Sequence, residues 1–129
     1  NIEYGTNIHY LLETTDFINP NYDNLTNNEI DIIKSLLNNE LFKNIKDANI
    51  FKEYEFIEET DNETKTGIID LMLEYQDRID IIDYKLKHID DTAYINQLNG
   101  YKNFIHNLTN KPVNTYLYSI LDKKLFKLD

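Results

Sequence analysis

Apolar residues fall along this chain in two rhythms, one of three to four residues and one of two, and the changes between them mark its elements. Ile8, Leu11, Leu12 and Thr15 keep helical spacing and predict a helix from about Thr6 to Thr15. Asn19-Pro20-Asn21 breaks the chain. Thr26-x-x-Glu29 then reads as a capping box opening a helix with Ile30, Ile33 and Leu37 as its apolar stripe, and a shorter helical piece follows from about Glu40 to Ile45. From Ile50 to Glu58 the pattern alternates imperfectly, as in a strand, and Thr60 to Thr66 is a polar turn. Gly67 to Leu71 and Ile81 to Lys85 are apolar and β-branched enough to form a pair of strands. Helical spacing returns from about Asp91 to Leu108 through Tyr94, Leu98, Tyr101, Ile105 and Leu108, with Asp90 or Asp91 as its cap. Asn110-Lys111-Pro112 ends that helix, Val113 to Leu121 reads as a strand, and Asp122-Lys123-Lys124 turns it into a last strand over Leu125 to Leu128. This order predicts an α/β fold in which helices flank a mixed central β-sheet.

The two central strands each carry a carboxylate inside an apolar run, Asp70 in Gly-Ile-Ile-Asp-Leu and Asp83 in Ile-Ile-Asp-Tyr-Lys. A hairpin with the two-residue loop Gln76-Asp77 sets Asp70 opposite Asp83 and Ile68 opposite Lys85. Directly opposed residues share a face, and so do Asp83 and Lys85, two apart on one strand. Two facing carboxylates on an apolar surface repel and require a cation, and oxygen donors at this density suit Mg²⁺ or Mn²⁺. The plainer alternative is a solvated hairpin face with a chance lysine.

Composition narrows the setting. At 129 residues the chain is expected to be one domain, with room for a core but not for a motor as well. It has no cysteine, which removes disulfides, zinc–cysteine sites and iron–sulfur clusters and fits a reducing, cytoplasmic compartment. No apolar run approaches the ~20 residues of a membrane span, so no membrane partner is expected. The first residue is Asn1 rather than Met, which suggests a domain excised from a larger protein. The formal net charge of −10 opposes general nucleic-acid binding, for which a basic face is usual. The three glycines are scattered, so no phosphate-cradling loop is present.

Gly67-x-x-Asp70 followed by Asp83-x-Lys85 resembles the PD-(D/E)XK nuclease motif, and the wording around it is similar to the RecB/AddA branch, the nuclease modules of bacterial helicase–nucleases. Three further stretches resemble that branch in order: Gly5-Thr6-x-x-His9-x-x-Leu12-Glu13, Lys52-Glu53-Tyr54-Glu55-Phe56 and Tyr94-x-x-Gln97-Leu98-x-x-Tyr101. Taken alone, His9 is a half-buried residue at the border of an apolar face, the glutamates lie on a strand edge, and the tyrosines form a core stripe with Gln97 at its margin. The resemblance implies more. His9 becomes a metal ligand with Asp70, Asp83 and the backbone carbonyl of Tyr84. Glu53 becomes the acidic partner, with Glu55 a second candidate on the same strand face. Lys85 becomes the catalytic cation, and Tyr94, Gln97 and Tyr101 support the active site and the DNA. Glu55 in place of proline, Leu86 in place of threonine and the acidic balance depart from the pattern.

On that resemblance the expected fold is a restriction-endonuclease-like core. The expected activity is that of a Mg²⁺- or Mn²⁺-dependent deoxyribonuclease, exonuclease in preference to endonuclease. It would process double-strand DNA ends for recombination and repair, with DNA and a helicase domain or subunit of a parent complex as partners. The alternatives are a nuclease-like module that holds DNA or protein without cutting, and a stand-alone nuclease of phage or restriction type.

Overall fold

The computed structural model describes residues 2–87 and 91–128. Two helices and a pair of short 3₁₀ turns come first, then a five-stranded sheet interrupted by a third helix. Helix α1 spans Ile2–Thr14 and buries Ile8, Leu11 and Leu12, with Thr15 buried just beyond. It starts four residues earlier than the spacing predicts, its first turn stitched by Thr6 Oγ1 donating to the Ile2 carbonyl at 3.0 Å. Helix α2, Asn27–Leu37, carries the complete capping box between Thr26 and Glu29. Its deepest ridge is Ile32, Ile33 and Leu36, with Ile30 and Leu37 only half-buried, so the stripe is rotated from the one expected. The predicted piece from Glu40 to Ile45 resolves into two 3₁₀ turns, Glu40–Phe42 and Ile45–Asp47, because Asn39 caps the first and Asn44 separates them.

Strands β1 (Asn49–Glu59), β2 (Thr64–Glu74) and β3 (Ile79–Lys85) form an antiparallel meander. The turn between β1 and β2 is only Thr60 to Glu63, where the Thr60 amide donates to the Glu63 carbonyl at 2.9 Å. Thr64 to Thr66, read from sequence as turn, pair with Ile57 to Glu59 instead, because the long β1 offers them backbone partners. Helix α3, Thr92–Thr109, crosses from β3 to β4 (Val113–Ser119), which lies parallel to β3 as a helical crossover requires. Its cap is Asp91, whose carboxylate accepts from the Ala93 amide at 2.9 Å; Asp90 lies outside the described residues. Asn110, with φ of 61°, ends the helix in the left-handed conformation asparagine tolerates. Strand β5, Lys124–Lys127, closes the far edge, giving the order β1-β2-β3-β4-β5. Strand β4 stops at Ser119, so Leu121 lies outside it and exposed.

The sheet is therefore mixed and covered on both faces. One face packs α1, α2 and the 3₁₀ turns on Leu71, Leu73, Tyr75, Ile82, Tyr84 and Tyr118. The other packs Leu98, Tyr101 and Ile105 of α3 on Ile69, Met72, Ile79, Ile81 and Val113. Leu108, expected on that stripe, is exposed. The faces do not follow a simple alternation through β1 and β2. Leu71 belongs to the first core and Ile69, two residues away, to the second; Ile50 belongs to the first and Tyr54 and Phe56 to the second. The change of face falls at Glu53 and Asp70, where the β1–β2 ladder skips one pair between Lys52↔Leu71 and Tyr54↔Ile69. Glu53 has φ of 50°, a left-handed conformation that turns the strand over without shifting its register.

Candidate metal centre

That seam between the two cores is where the sequence-predicted residues meet. The hairpin register is the expected one from Glu74↔Ile79 to Leu71↔Ile82, but the paired ladder ends there, so neither Asp70↔Asp83 nor Ile68↔Lys85 is a ladder pair. The physical reason is the Asp70 side chain. Its Oδ2 accepts from the Tyr84 amide at 2.8 Å, taking the place of a backbone carbonyl and prising the strands apart. Asp70 and Asp83 remain close enough for each carboxyl to shift the other's protonation, and they are only 9% and 8% exposed.

Helix α1 brings His9 over this gap. Its Nε2 lies 2.9 Å from the Tyr84 carbonyl, and since a carbonyl only accepts, Nε2 carries the hydrogen. Nδ1 is left facing Asp70 Oδ1 at 3.5 Å. Donor atoms of His9, Glu53 and Asp70 lie within 4.8 Å of one another, the one such group of three among the described residues. The Tyr84 carbonyl, expected as a ligand, orients the imidazole and keeps its second lone pair. Glu55 is exposed on the outer part of β1 and stands apart from this group.

The electrostatics follow from packing three carboxyls into one seam. Burial, then the negative charge of Asp70, pushes both Glu53 and Asp83 up to about 7. Burial also acts to raise Asp70, but the hydrogen bond and charge of His9, the Asp83 carboxyl and the Tyr84 amide together hold it below the usual range. His9 is raised chiefly by its hydrogen bond to Asp70. A cluster that keeps protons at neutral pH because burial and mutual repulsion both disfavour its charges is one that a cation would relieve. Three carboxylate groups and one neutral imidazole nitrogen fit Mg²⁺ or Mn²⁺, with Nδ1 the free donor and Nε2–H held from behind.

Lys85 sits at the carboxyl end of β3, its Nζ 3.8 Å from Asp83 Oδ2 and 4.9 Å from the centre of the Tyr94 ring. The Tyr94 hydroxyl donates to Asp83 Oδ2 at 2.7 Å, so the first turn of α3 fixes that carboxylate. Tyr101 is buried against Phe56, with ring centres 5.5 Å apart at nearly a right angle. Gln97 is exposed and lines a separate groove of about 460 Å³ between α3 and the β1–β2 hairpin. Gly67 is the flat spot on which this packing rests, because a Cβ there would lie 2.7 Å from the Phe56 and Tyr101 rings. An open groove of about 860 Å³ leads to His9 and Glu53, edged by Ile2, Leu86 and Leu121 and by Lys85 and Lys87.

Sequence reasoning missed Lys52. Its ammonium lies 3.9 Å from the centre of the Phe17 ring and hydrogen-bonds the Thr15 carbonyl, with the Glu13 carbonyl at 3.4 Å. A lysine one residue before a glutamate in a strand carries no signal that it will reach a helix end 37 residues earlier. Among the described residues no helix is long and apolar enough to cross a membrane. No protein-family model matches the chain, and no curated protein matches it either.

Proposed function

We propose that this chain is a metal-dependent DNA nuclease domain of the PD-(D/E)XK type, similar to the nuclease module of an AddA/RecB helicase–nuclease. It hydrolyses phosphodiester bonds at DNA ends that a helicase domain or subunit opens. The observation that carries this reading is the gathering of His9, Glu53 and Asp70 donors within 4.8 Å, with Asp83 and Lys85 on the same edge. Bound Mg²⁺ or Mn²⁺ supplies an acidified water and takes up charge on the phosphate. Asp70, anchored by the Tyr84 amide, is the central ligand, and Asp83, anchored by Tyr94, flanks it. His9 presents Nδ1 because the Tyr84 carbonyl holds Nε2–H. Lys85 directs its ammonium at the attacking water or at the phosphate oxygens, where charge develops.

The test joins Mn²⁺ calorimetry to cleavage of short single strands at low salt. Asp70→Ala is expected to abolish measurable Mn²⁺ binding, and an undiminished affinity overturns the ligand set. Lys85→Ala is expected to keep the metal and lose roughly 10²–10³ in cleavage rate, the scale set by lost oxyanion-type donors. The net charge of −10 favours a second reading, a nuclease-like module that holds metal and a partner without cutting. Metal binding with no cleavage, in the parent chain and in any longer protein that contains it, selects that reading.

A further inference from the structure

We infer that Lys52 is a positioning residue for the metal centre, setting His9 over Glu53 and Asp70 by clamping the end of α1; this rests on the reading of those three as metal ligands. His9 and Glu53 belong to different elements, and something must fix α1 along and around its own axis. The apolar contacts of Ile8, Leu11 and Leu12 hold the helix on the sheet but do not specify direction. The His9 Nε2 bond to the Tyr84 carbonyl gives direction at the ligand itself, and the Lys52 ammonium gives it at the end of the helix. Lys52 leaves β1 one residue before Glu53, crosses the face of Phe17, and hydrogen-bonds the Thr15 carbonyl with the Glu13 carbonyl at 3.4 Å. Those carbonyls lie at the C-terminus of α1, where a cation is favoured by orphan acceptors and by the helix dipole. His9 sits only four residues, about one turn, before Glu13, so a clamp at that end sets its height and rotation.

On the other side of Lys52 the chain passes directly into Glu53 with its φ of 50°. One side chain therefore ties the helix bearing one ligand to the backbone step that aims another. A helix-capping lysine placed elsewhere on β1 would stabilise α1 equally well without that link.

The experiment is a cycle of Mn²⁺ affinities by calorimetry on the whole chain, comparing Lys52→Met in the parent and in a His9→Ala background. Residues that orient metal ligands typically carry a 10–100-fold effect on affinity. Lys52→Met is expected to weaken Mn²⁺ at least ten-fold in the parent and less than about two-fold once His9 is gone. Lys52→Arg, which keeps charge and donors, is expected to restore most of the affinity. Equal losses in the two backgrounds overturn the proposal, because a generally loosened fold would weaken both alike. If Lys52→Met melts below the assay temperature, Lys52→Gln replaces it in the same cycle. If the parent chain binds no Mn²⁺, the nuclease reading falls while the clamp is still decided by metal-free NMR. The contact between the His9 and Tyr84 rings, 5.6 Å apart, is expected to weaken in Lys52→Met; its retention at full strength overturns the proposal.

Discussion

At the scale of single residues the seam carries more negative charge than its burial favours, and that makes its pH behaviour readable. Glu53 and Asp83 ordinarily release protons near 4.5 and 3.8 but hold them up to about 7 in the fold. Between those values the folded chain binds more protons than the unfolded one, so stability is lost as pH rises through that window. His9, raised above 6.5 by its Asp70 hydrogen bond, contributes in the same sense: its stabilisation is complete below pH 6.5 and lost above. Asp70 acts oppositely, but only at acid pH, its contribution being present above 3.8 and lost as pH falls through its lowered value. The melting temperature in chelator is therefore expected to fall from pH 5 to pH 8, less steeply in Asp83→Asn. If Mn²⁺ binds in place of those protons, as proposed, it is expected to raise the melting temperature more at pH 8 than at pH 6. A flat profile in chelator would remove the electrostatic picture of the seam. The backbone at Glu53 gives a second residue-scale expectation. A left-handed non-glycine residue costs roughly 1–2 kcal/mol, so Glu53→Gly should melt above Glu53→Ala although both lack the carboxylate. The reverse order would mean the strand does not turn over at this residue.

The elements were largely legible, and the places where they were not have definite causes. Helix α2 was announced by its capping box, and α3 by five apolar positions of which all but Leu108 are at least partly buried. The two-residue loop at Gln76-Asp77 set the β2–β3 register, and that register carried Asp70 and Asp83 to the same place. What could not be read was the break in the ladder, because nothing in a β-branched run shows that an aspartate will accept from the backbone of the next strand. The change of face at Glu53 was hidden for a related reason. Alternation in β1 is imperfect, and no glycine marks the left-handed residue. For α3 the face assignment has a direct test. Tyr101 is buried and Gln97 exposed, so Tyr101→Ala is expected to cost about 3–5 kcal/mol while Gln97→Ala melts with the parent. Gly67→Ala should destabilise by about 1–3 kcal/mol through its clash with the Phe56 and Tyr101 rings. Combined with Tyr101→Ala its cost should shrink, since one obstructing ring is gone; strict additivity would show that α3 does not rest on Gly67.

At the scale of the whole molecule, two apolar cores on opposite faces hold a sheet whose charged seam lies where the strands change from one core to the other. The chain carries 13 basic against 23 acidic residues, so a polyanion finds little general attraction and must be gripped locally. Among the described residues, Lys85 and Lys87 are the lysines that line the groove leading to His9 and Glu53. If a single strand lies in that groove, it exchanges its counterions for about two protein charges. The logarithm of its affinity should then fall with the logarithm of salt with a slope of about −1.4, at −0.7 for each phosphate neutralised on a single strand. The measurement is fluorescence anisotropy of a short, cleavage-resistant phosphorothioate strand in Mn²⁺ over a range of salt concentrations. On that path Lys87→Ala should bring the slope down by about 0.7 and leave Mn²⁺ binding untouched, because Lys87 would meet a phosphate and is not among the proposed metal ligands. Chelator should weaken binding further, since without the cation the three carboxyls of the seam face the phosphate directly. A slope of about −4 or steeper would require several more basic residues than the groove supplies. DNA would then lie on another surface, and the proposed path to the metal centre would be wrong.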